Sequence, residues 1–438
     1  MTKKLTTLIL FVLCIGINSV YSQGLLSLEE AIKIGIENNY SIQIANNEAE
    51  IDRMNRTLGN AGFLPTITAS GNRDEIFESE TTRTASDGRS TEDFEASLLS
   101  ADVDLTWTLF DGLRMFTNYQ RLGELQNLGE TLSRVELESI VTEITVAYYE
   151  IVRQEKLLGV LQNSVDISEE RYEIAQSKRE LGSGSEYELL LAQSDLNTDR
   201  AEFIRQETIL NDSKLDLIRL LDLDSDSQFD TFDTISISET MPLDELYSQF
   251  AENNRDIRAG EIRTSITELE IREFRRERMP EIDFNVGYTY NREEIRNSML
   301  FDQTDGLYVG VTARFNLFDG FNTNRQVQTA KINHKNERLR LQEQKKSLEM
   351  TLLSEYENYT NSIQLVGLEQ ENLELAEEAL DIALEQFQLA TITSLELRET
   401  QRIVFDTENR LIDAQFVAIV AETELLELAG VLLESLGL

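Results

Sequence analysis

Side chains able to carry covalent or metal chemistry are almost missing from this chain. Its one cysteine, Cys14, lies inside an apolar run, and its one histidine, His334, sits among Lys331, Asn333 and Lys335 on a polar stretch. A metal centre needs several converging ligands, and a lone solvated histidine does not supply them. There is no glycine-rich phosphate loop and no cluster of metal-ligand spacing, so the reading is no enzyme, no cofactor and no metal site. What is abundant is carboxylate: 80 Asp and Glu against 40 Lys and Arg, a net charge of −40. Such a chain lacks the basic clusters that grip phosphate, which excludes nucleic acid as a partner. The acidity solvates a large exposed surface and can favour cations along it. Asp74, Glu75, Glu78, Asp87, Glu92 and Asp93 crowd one stretch, but their spacing matches no calcium loop and reads as an exposed acidic segment.

Residues 1–22 read as a secretory signal peptide. Lys3 and Lys4 precede an apolar core from Leu5 to Ile17, and Val20-Tyr21-Ser22 ends in a small residue before Gln23. Val12 and Leu13 before Cys14 do not make a lipidation site. The processed chain then has no cysteine and no disulfide.

The carboxylates must be held by very long helices. Leu109-Phe110-Asp111-Gly112 opens a proline-free stretch to Gly182 in which Leu137, Ile140, Ile144, Ala147, Ile151, Leu158, Leu161 and Val165 recur at alternating spacings. Only Gln154 and Ser168 interrupt that seam. A mean spacing near 3.5 marks a helix that packs along partner helices. Leu317-Phe318-Asp319-Gly320 opens a second such stretch, with Leu352, Tyr359, Ala376, Ala383 and Phe387 on its seam. Both run 70 residues, to Gly182 and to Ala390, which at about 1.5 Å per residue is roughly 105 Å of helix. Each turns, near 181–185 and near 389–394, into a returning helix with its own heptads. The plan is duplicated: Leu28-Glu29-Glu30, Asn38-Asn39 and Pro65 reappear 215 residues on as Leu243-Asp244-Glu245, Asn253-Asn254 and Pro280. The first repeat is expected over 23–230, a connector over 231–242, and the second repeat over 243–438. Residues 25–62 read as one helix.

Each repeat also carries two alternating segments, near 64–72 and 101–110, then near 281–291 and 306–317, with a polar loop expected over 73–99. About ten residues with one apolar face suit a membrane-crossing strand. Trp107, Tyr288, Tyr290 and Phe315 are candidates for the barrel's interfacial aromatics. An open sheet cannot span lipid, and closed barrels have about eight strands or more, so four strands per chain require several copies to share one barrel. The same pattern also fits a soluble four-stranded sheet packed on helices, and the heptads a coiled-coil spacer.

In the order and spacing of these features the chain resembles the TolC-like outer-membrane efflux proteins, over essentially all of the processed sequence. The duplicated strand–loop–strand–helix–turn–helix unit and the paired Leu-Phe-Asp-Gly signatures carry the likeness. So does Leu181-Gly182 followed by Glu188-Leu189-Leu190-Leu191-Ala192-Gln193. The resemblance implies an α+β membrane protein: a homotrimer sharing a 12-stranded transmembrane β-barrel, four strands from each chain, with a long periplasmic α-helical coiled-coil tunnel. It implies the outer membrane of a Gram-negative bacterium, surrounding outer-membrane lipid, and a role as passive exit duct of a tripartite efflux or secretion system. A periplasmic adaptor and an inner-membrane pump of the RND or ABC type would be its partners, the adaptor gripping Gly182, Ser183, Gly184, Ala390 and Thr391 at the hairpin tips.

Relatives carry acidic rings six and nine residues past the second turn's glycine. Here those offsets from Ala390 fall on Glu396 and Glu399, with Glu188 the counterpart in the first repeat. They are candidates for an aperture ring that attracts cations; as acids at a helix start they also complement its dipole. Where relatives place a Tyr and an Arg around that turn, this chain has Phe387 and Ile392, which cannot make polar links, so closure should rest on other contacts. The rival reading is a non-channel coiled-coil scaffold of the cell envelope.

Overall fold

A computed structural model describes residues 24–85, 88–232, 235, 242–295, 300–389 and 391–437; the signal stretch 1–22 with Cys14, most of the 231–242 connector, and Ala390 lie outside them. Two helices of equal length dominate: α4 (Arg114–Glu180) and α8 (Asn322–Gln388), 67 residues each, or about 100 Å at 1.5 Å per residue. Before α4 come β1 (Gly24–Leu26), α1 (Leu28–Asn38), α2 (Tyr40–Asn55), α3 (Leu58–Ala61), β2 (Thr66–Ala85) and β3 (Gly88–Phe110). After it come α5 (Glu186–Leu221), β4 (Phe229–Thr231), α6 (Leu243–Asn253), α7 (Arg255–Arg276), β5 (Glu281–Ile295) and β6 (Leu300–Arg314). The chain ends in α9 (Ser394–Leu428) and α10 (Leu432–Ser435). No helix among the described residues is long and apolar enough to cross a membrane.

Contacts divide the chain into two compact units. One comprises the described residues up to Asn39, Val141–Thr240 and Glu357–Glu424. Its core is the heptad seam: Ile144, Tyr148, Ile151, Leu217, Leu221 and Leu397 are fully buried. Tyr148 donates its hydroxyl to the Leu26 carbonyl at 2.8 Å, and β1 pairs in parallel with β4. Gly35 lets α1 lie against Ile144 and Leu221; a Cβ there would come within 2.2 Å of the Ile144 Cδ1. The single helix expected over 25–62 is broken at Asn39. That residue leaves the helical region (φ −59, ψ 126) and donates its side-chain amide to the Leu220 carbonyl at 2.9 Å, so a tertiary contact decides the break. The second repeat has the same joint, Asn254 donating to the Leu428 carbonyl at 2.9 Å.

The other unit comprises Tyr40–Ile140, Met241–Tyr356 and Leu425–Leu438. It holds a four-stranded antiparallel sheet of order β2-β3-β5-β6. Its strands are 20, 23, 15 and 15 residues long, so the expected segments near 64–72, 101–110, 281–291 and 306–317 are too short, and the loop expected over 73–99 is wrong. The ladder runs from Thr66↔Thr106 to Ala85↔Gly88, with one irregularity between Ile76 and Ser79. Polar composition suggested a loop, but strand pairing is made by backbone groups and tolerates Ser, Thr and charge on both faces. Arg73 pairs with Glu75 at 2.6 Å, and the Ser97 hydroxyl donates to Glu75 at 3.1 Å.

Candidate functional site: hairpin tips and amphipathic sheet

Register gives the sheet its two faces. Ile67, Leu105, Val286 and Val309 are cross-strand neighbours, as are Val103, Tyr288 and Leu307, and Trp107, Phe284 and Val311. Ile67, Val103, Trp107, Tyr288, Leu307, Val309 and Val311 on this face are exposed. The opposite face is polar and hydrogen-bonded: Thr108 donates to Asp283 at 2.8 Å, Thr289 to Asp102 at 2.5 Å and Asn285 to Thr312 at 3.1 Å. Of the four aromatics singled out, Trp107 donates its indole N–H to the Phe63 carbonyl at 2.9 Å. Tyr288 donates its hydroxyl to Asp305 at 2.8 Å, and the half-buried Tyr290 stands opposite Asp305. Phe315, expected on a strand, is exposed one residue past the end of β6.

The Leu-Phe-Asp-Gly signatures are built alike but seated differently. Asp111 accepts the Met115 amide and Asp319 the Thr323 amide, both at 2.7 Å, so each aspartate caps its long helix. Gly112 and Gly320 both have positive φ, +72 and +66. Around Gly112 the Arg276 carbonyl and Met279 close in; around Gly320 there is open space, with Leu317, Phe318 and Phe321 exposed.

At the first hairpin tip, Gly182 takes φ +74 and the amides of Ser183 and Gly184 both donate to the Lys178 carbonyl at 2.9 Å. A Cβ on Gly184 would sit 3.0 Å from the Arg179 backbone, so a side chain does not fit this turn. Ser185 and Glu188 then form a capping box. The second tip repeats the device: the Thr391 amide and hydroxyl both donate to the Gln386 carbonyl at 2.9 Å. Thr393 donates its amide and hydroxyl to Glu396 at 2.7 and 2.8 Å. Those bonds, the amide's first, hold the Glu396 carboxyl below the usual carboxylate range. Glu399 is likewise lowered, by its hydrogen bond with Arg402 at 2.6 Å. Glu396 and Glu399 are exposed at the start of α9, and Glu188 at the start of α5.

Phe387 and Ile392 make an apolar cluster instead of polar links. Phe387 is buried with Ala383 and Leu397, Ile174 and Ile392 pack against them, and the Lys178 ammonium lies 4.4 Å from the Phe387 ring centre. Polar fastening lies deeper, at residues the sequence reading passed over. Arg398 on α9 donates to both carboxylate oxygens of Asp199 on α5, at 2.7 Å each, and to Ser168 on α4 at 3.2 Å. Arg171 is 4% exposed and donates to Asp195 at 3.0 Å, Ser394 at 3.1 Å and Gln401 at 3.4 Å. Further along, Gln206 donates to Gln154 at 2.5 Å. The available signal was the interruption itself: the two polar residues in the α4 seam, Gln154 and Ser168, are both buried and both reach α5.

Among the described residues no group of His, Cys, Asp and Glu could hold a metal ion. His334 meets Thr267 at 3.0 Å through Nδ1.

The chain matches the family model described as outer membrane efflux protein twice, over residues 32–222 and 246–431. No curated protein sequence matches it significantly. Among solved structures it is similar to the Campylobacter jejuni CmeC outer membrane channel, at TM-score 0.78 and 13% identity over 92% of this chain and 86% of that one. It is also similar to the Vibrio cholerae outer membrane protein VceC, at 0.72 and 16% over 92% and 96%. The open-state Neisseria gonorrhoeae MtrE outer membrane channel aligns at 0.68 and 16% over 92% and 89%. These likenesses give the fold, a TolC-like one with internal duplication. Both halves of the chain meet the family model in order, and the chain belongs to the outer membrane efflux protein family, whose place is the outer membrane and whose members are not enzymes.

Proposed function

We propose that this chain is one third of an outer-membrane exit duct, conducting solutes passively while an inner-membrane pump, of the RND or ABC type and joined through a periplasmic adaptor, supplies the energy. The observation that carries this reading is the sheet. It has an apolar exposed face running across all four strands, a polar face, and two edges, β2 and β6, with one neighbour each. Lipid tolerates no unpaired strand edge, so the edges must be closed by further copies. Three copies give a twelve-stranded barrel, large enough to keep an open lumen.

The duplication supplies a register for closure. First strands of the two repeats correspond at an offset of 215 residues and second strands at 208. These offsets carry the pair Thr66↔Thr106 onto Glu281↔Arg314, which is an observed pair. Applied to Val103↔Tyr288 of β3 and β5, they bring Val311 of one copy opposite Arg73 of the next. The same offset puts residues 61–64 of the next copy where Arg276–Met279 seal Gly112, beside the open Gly320.

Glu396, Glu399 and Glu188 would ring the periplasmic aperture, and Gly182, Ser183, Gly184, Ala390 and Thr391 would present the tips to the adaptor. Reconstitution into planar bilayers should give large, cation-preferring pores. Protein that fractionates away from membranes and never conducts would favour the envelope scaffold and end this reading.

A further inference from the structure

One cleft in the helical unit is unexplained by conduction. It is a cavity of about 310 Å³ between α4, α8 and α9, at the lower end of the roughly 300–1,000 Å³ typical of small-molecule sites. Val160, Leu380, Val404 and Phe405 form its apolar wall. Three acidic residues line it. Asp166 on α4 already accepts the Gln162 amide at 2.7 Å, whereas Glu377 from α8 and Glu408 from α9 have no ion-pair partner among the described residues. Glu408 is half-buried, and its carboxyl is pushed up by that burial and then by repulsion from Glu377. The third feature is Gln401, which lines the same cleft. It is 7% exposed, and its amide oxygen is committed to Arg171 while its amide nitrogen, Nε2, has no acceptor. A buried orphan donor costs about 1–3 kcal/mol if it is not met.

Each element asks for something different from an occupant: positive charge between two repelling acids, an acceptor atom for an amide N–H, and an apolar body for the wall. A metal ion supplies only the first, and among the described residues no group of His, Cys, Asp and Glu converges to hold one. We propose that this cleft binds a small amphiphilic organic ammonium ion, its cationic head between Glu377 and Glu408 and an ether, hydroxyl or carbonyl oxygen on the Gln401 amide. The Phe405 ring adds a face on which the cation or an aryl group can rest. The site stands on the geometry of one helical unit, independently of whether the protein conducts.

The test is calorimetric titration of the detergent-purified, full-length protein with 2-phenoxyethylammonium, which combines ammonium, ether oxygen and aryl ring. Saturable binding is expected, with the neutral 2-phenoxyethanol at least about tenfold weaker for lack of a charge-assisted bond. Glu377→Gln, at an exposed position whose change leaves the fold intact, should weaken binding about threefold. Glu408→Gln, half-buried, should cost about tenfold, and Gln401→Leu should cost a similar factor. Glu207→Gln, exposed on α5 and outside the cleft, should change nothing. Absence of saturable binding overturns the proposal. So does equal affinity for the neutral alcohol, or an affinity that Glu377→Gln and Gln401→Leu leave untouched. Bilayer conductance of the same sample separates this failure from failure of the duct reading.

Discussion

Arg398 and Asp199, 199 residues apart, meet through two parallel hydrogen bonds of 2.7 Å, with the carboxylate 9% and the guanidinium 27% exposed. This bidentate pair pushes the guanidinium's pKa up, the hydrogen bond to Asp199 being the main cause. Through Ser168 it joins α9, α5 and α4 at one level. It is a largely buried polar link in the helical unit, where Phe387 and Ile392 supply apolar contact only.

Asp199→Asn or Arg398→Ala leaves one member of a largely buried pair without its partner, so each should destabilise the helical unit by about 3–5 kcal/mol. The double change Arg398→Met, Asp199→Leu should recover most of the loss, because the desolvation penalty disappears with the charges. Thermal unfolding followed by circular dichroism checks both. A double variant no better than the worse single one would mean the network's geometry, not its charge balance, is what matters.

Converting Glu396 and Glu399 to Gln should lower cation preference and weaken block by multivalent cations. Both carboxyls are held below their usual values, so they stay ionised as pH falls through the ordinary carboxylate range. The stability that Glu396 adds by capping α9 is complete above the unfolded-state value and is lost as pH falls through its lowered folded-state value. Reversal potentials should therefore hold steady as pH falls through the ordinary carboxylate range and change only below it. Selectivity unchanged in the double variant would leave Glu396 as a helix cap and Glu399 as an ion-pair partner of Arg402 only.

Gly112→Ala should prevent folding of the sheet unit: besides φ +72, its Cβ would lie 2.7 Å from the Arg276 carbonyl oxygen and 2.5 Å from the Met279 Cβ. Gly320→Ala meets no atom within 4 Å, so within one chain it carries only the left-handed penalty of about 1–2 kcal/mol. If a second copy seals that turn, Gly320→Ala should spare the chain's fold yet reduce the trimer fraction on semi-native gels. A normal trimer yield would show that this turn faces open space.

Cysteines at Val311 and Arg73 should cross-link on oxidation into a covalent trimer, since the offset of the repeats sets them opposite each other. Moving the second cysteine to Asp74 turns its side chain to the other face and should abolish the band. Cross-linking of the displaced pair instead would revise the register by one residue.

The 3.5-residue spacing of α4 and α8, the turn at Gly182, the Leu-Phe-Asp-Gly signatures that open both long helices and the 215-residue duplication were all legible in the sequence. Each is a local property, dictated by side-chain type at a fixed offset along the backbone. The alternating segments showed where strands run but not how far. The extension of β2 and β3 through the polar 73–99 stretch depends on backbone pairing across the hairpin, which composition does not report. The break at Asn39 was settled by the Leu220 carbonyl, and the partners of Gln154, Ser168 and Gln401 by the approach of α5, α9 and α4. Those contacts join residues tens to hundreds of positions apart, and only packing in three dimensions selects among the many polar groups a chain with 80 acids could offer.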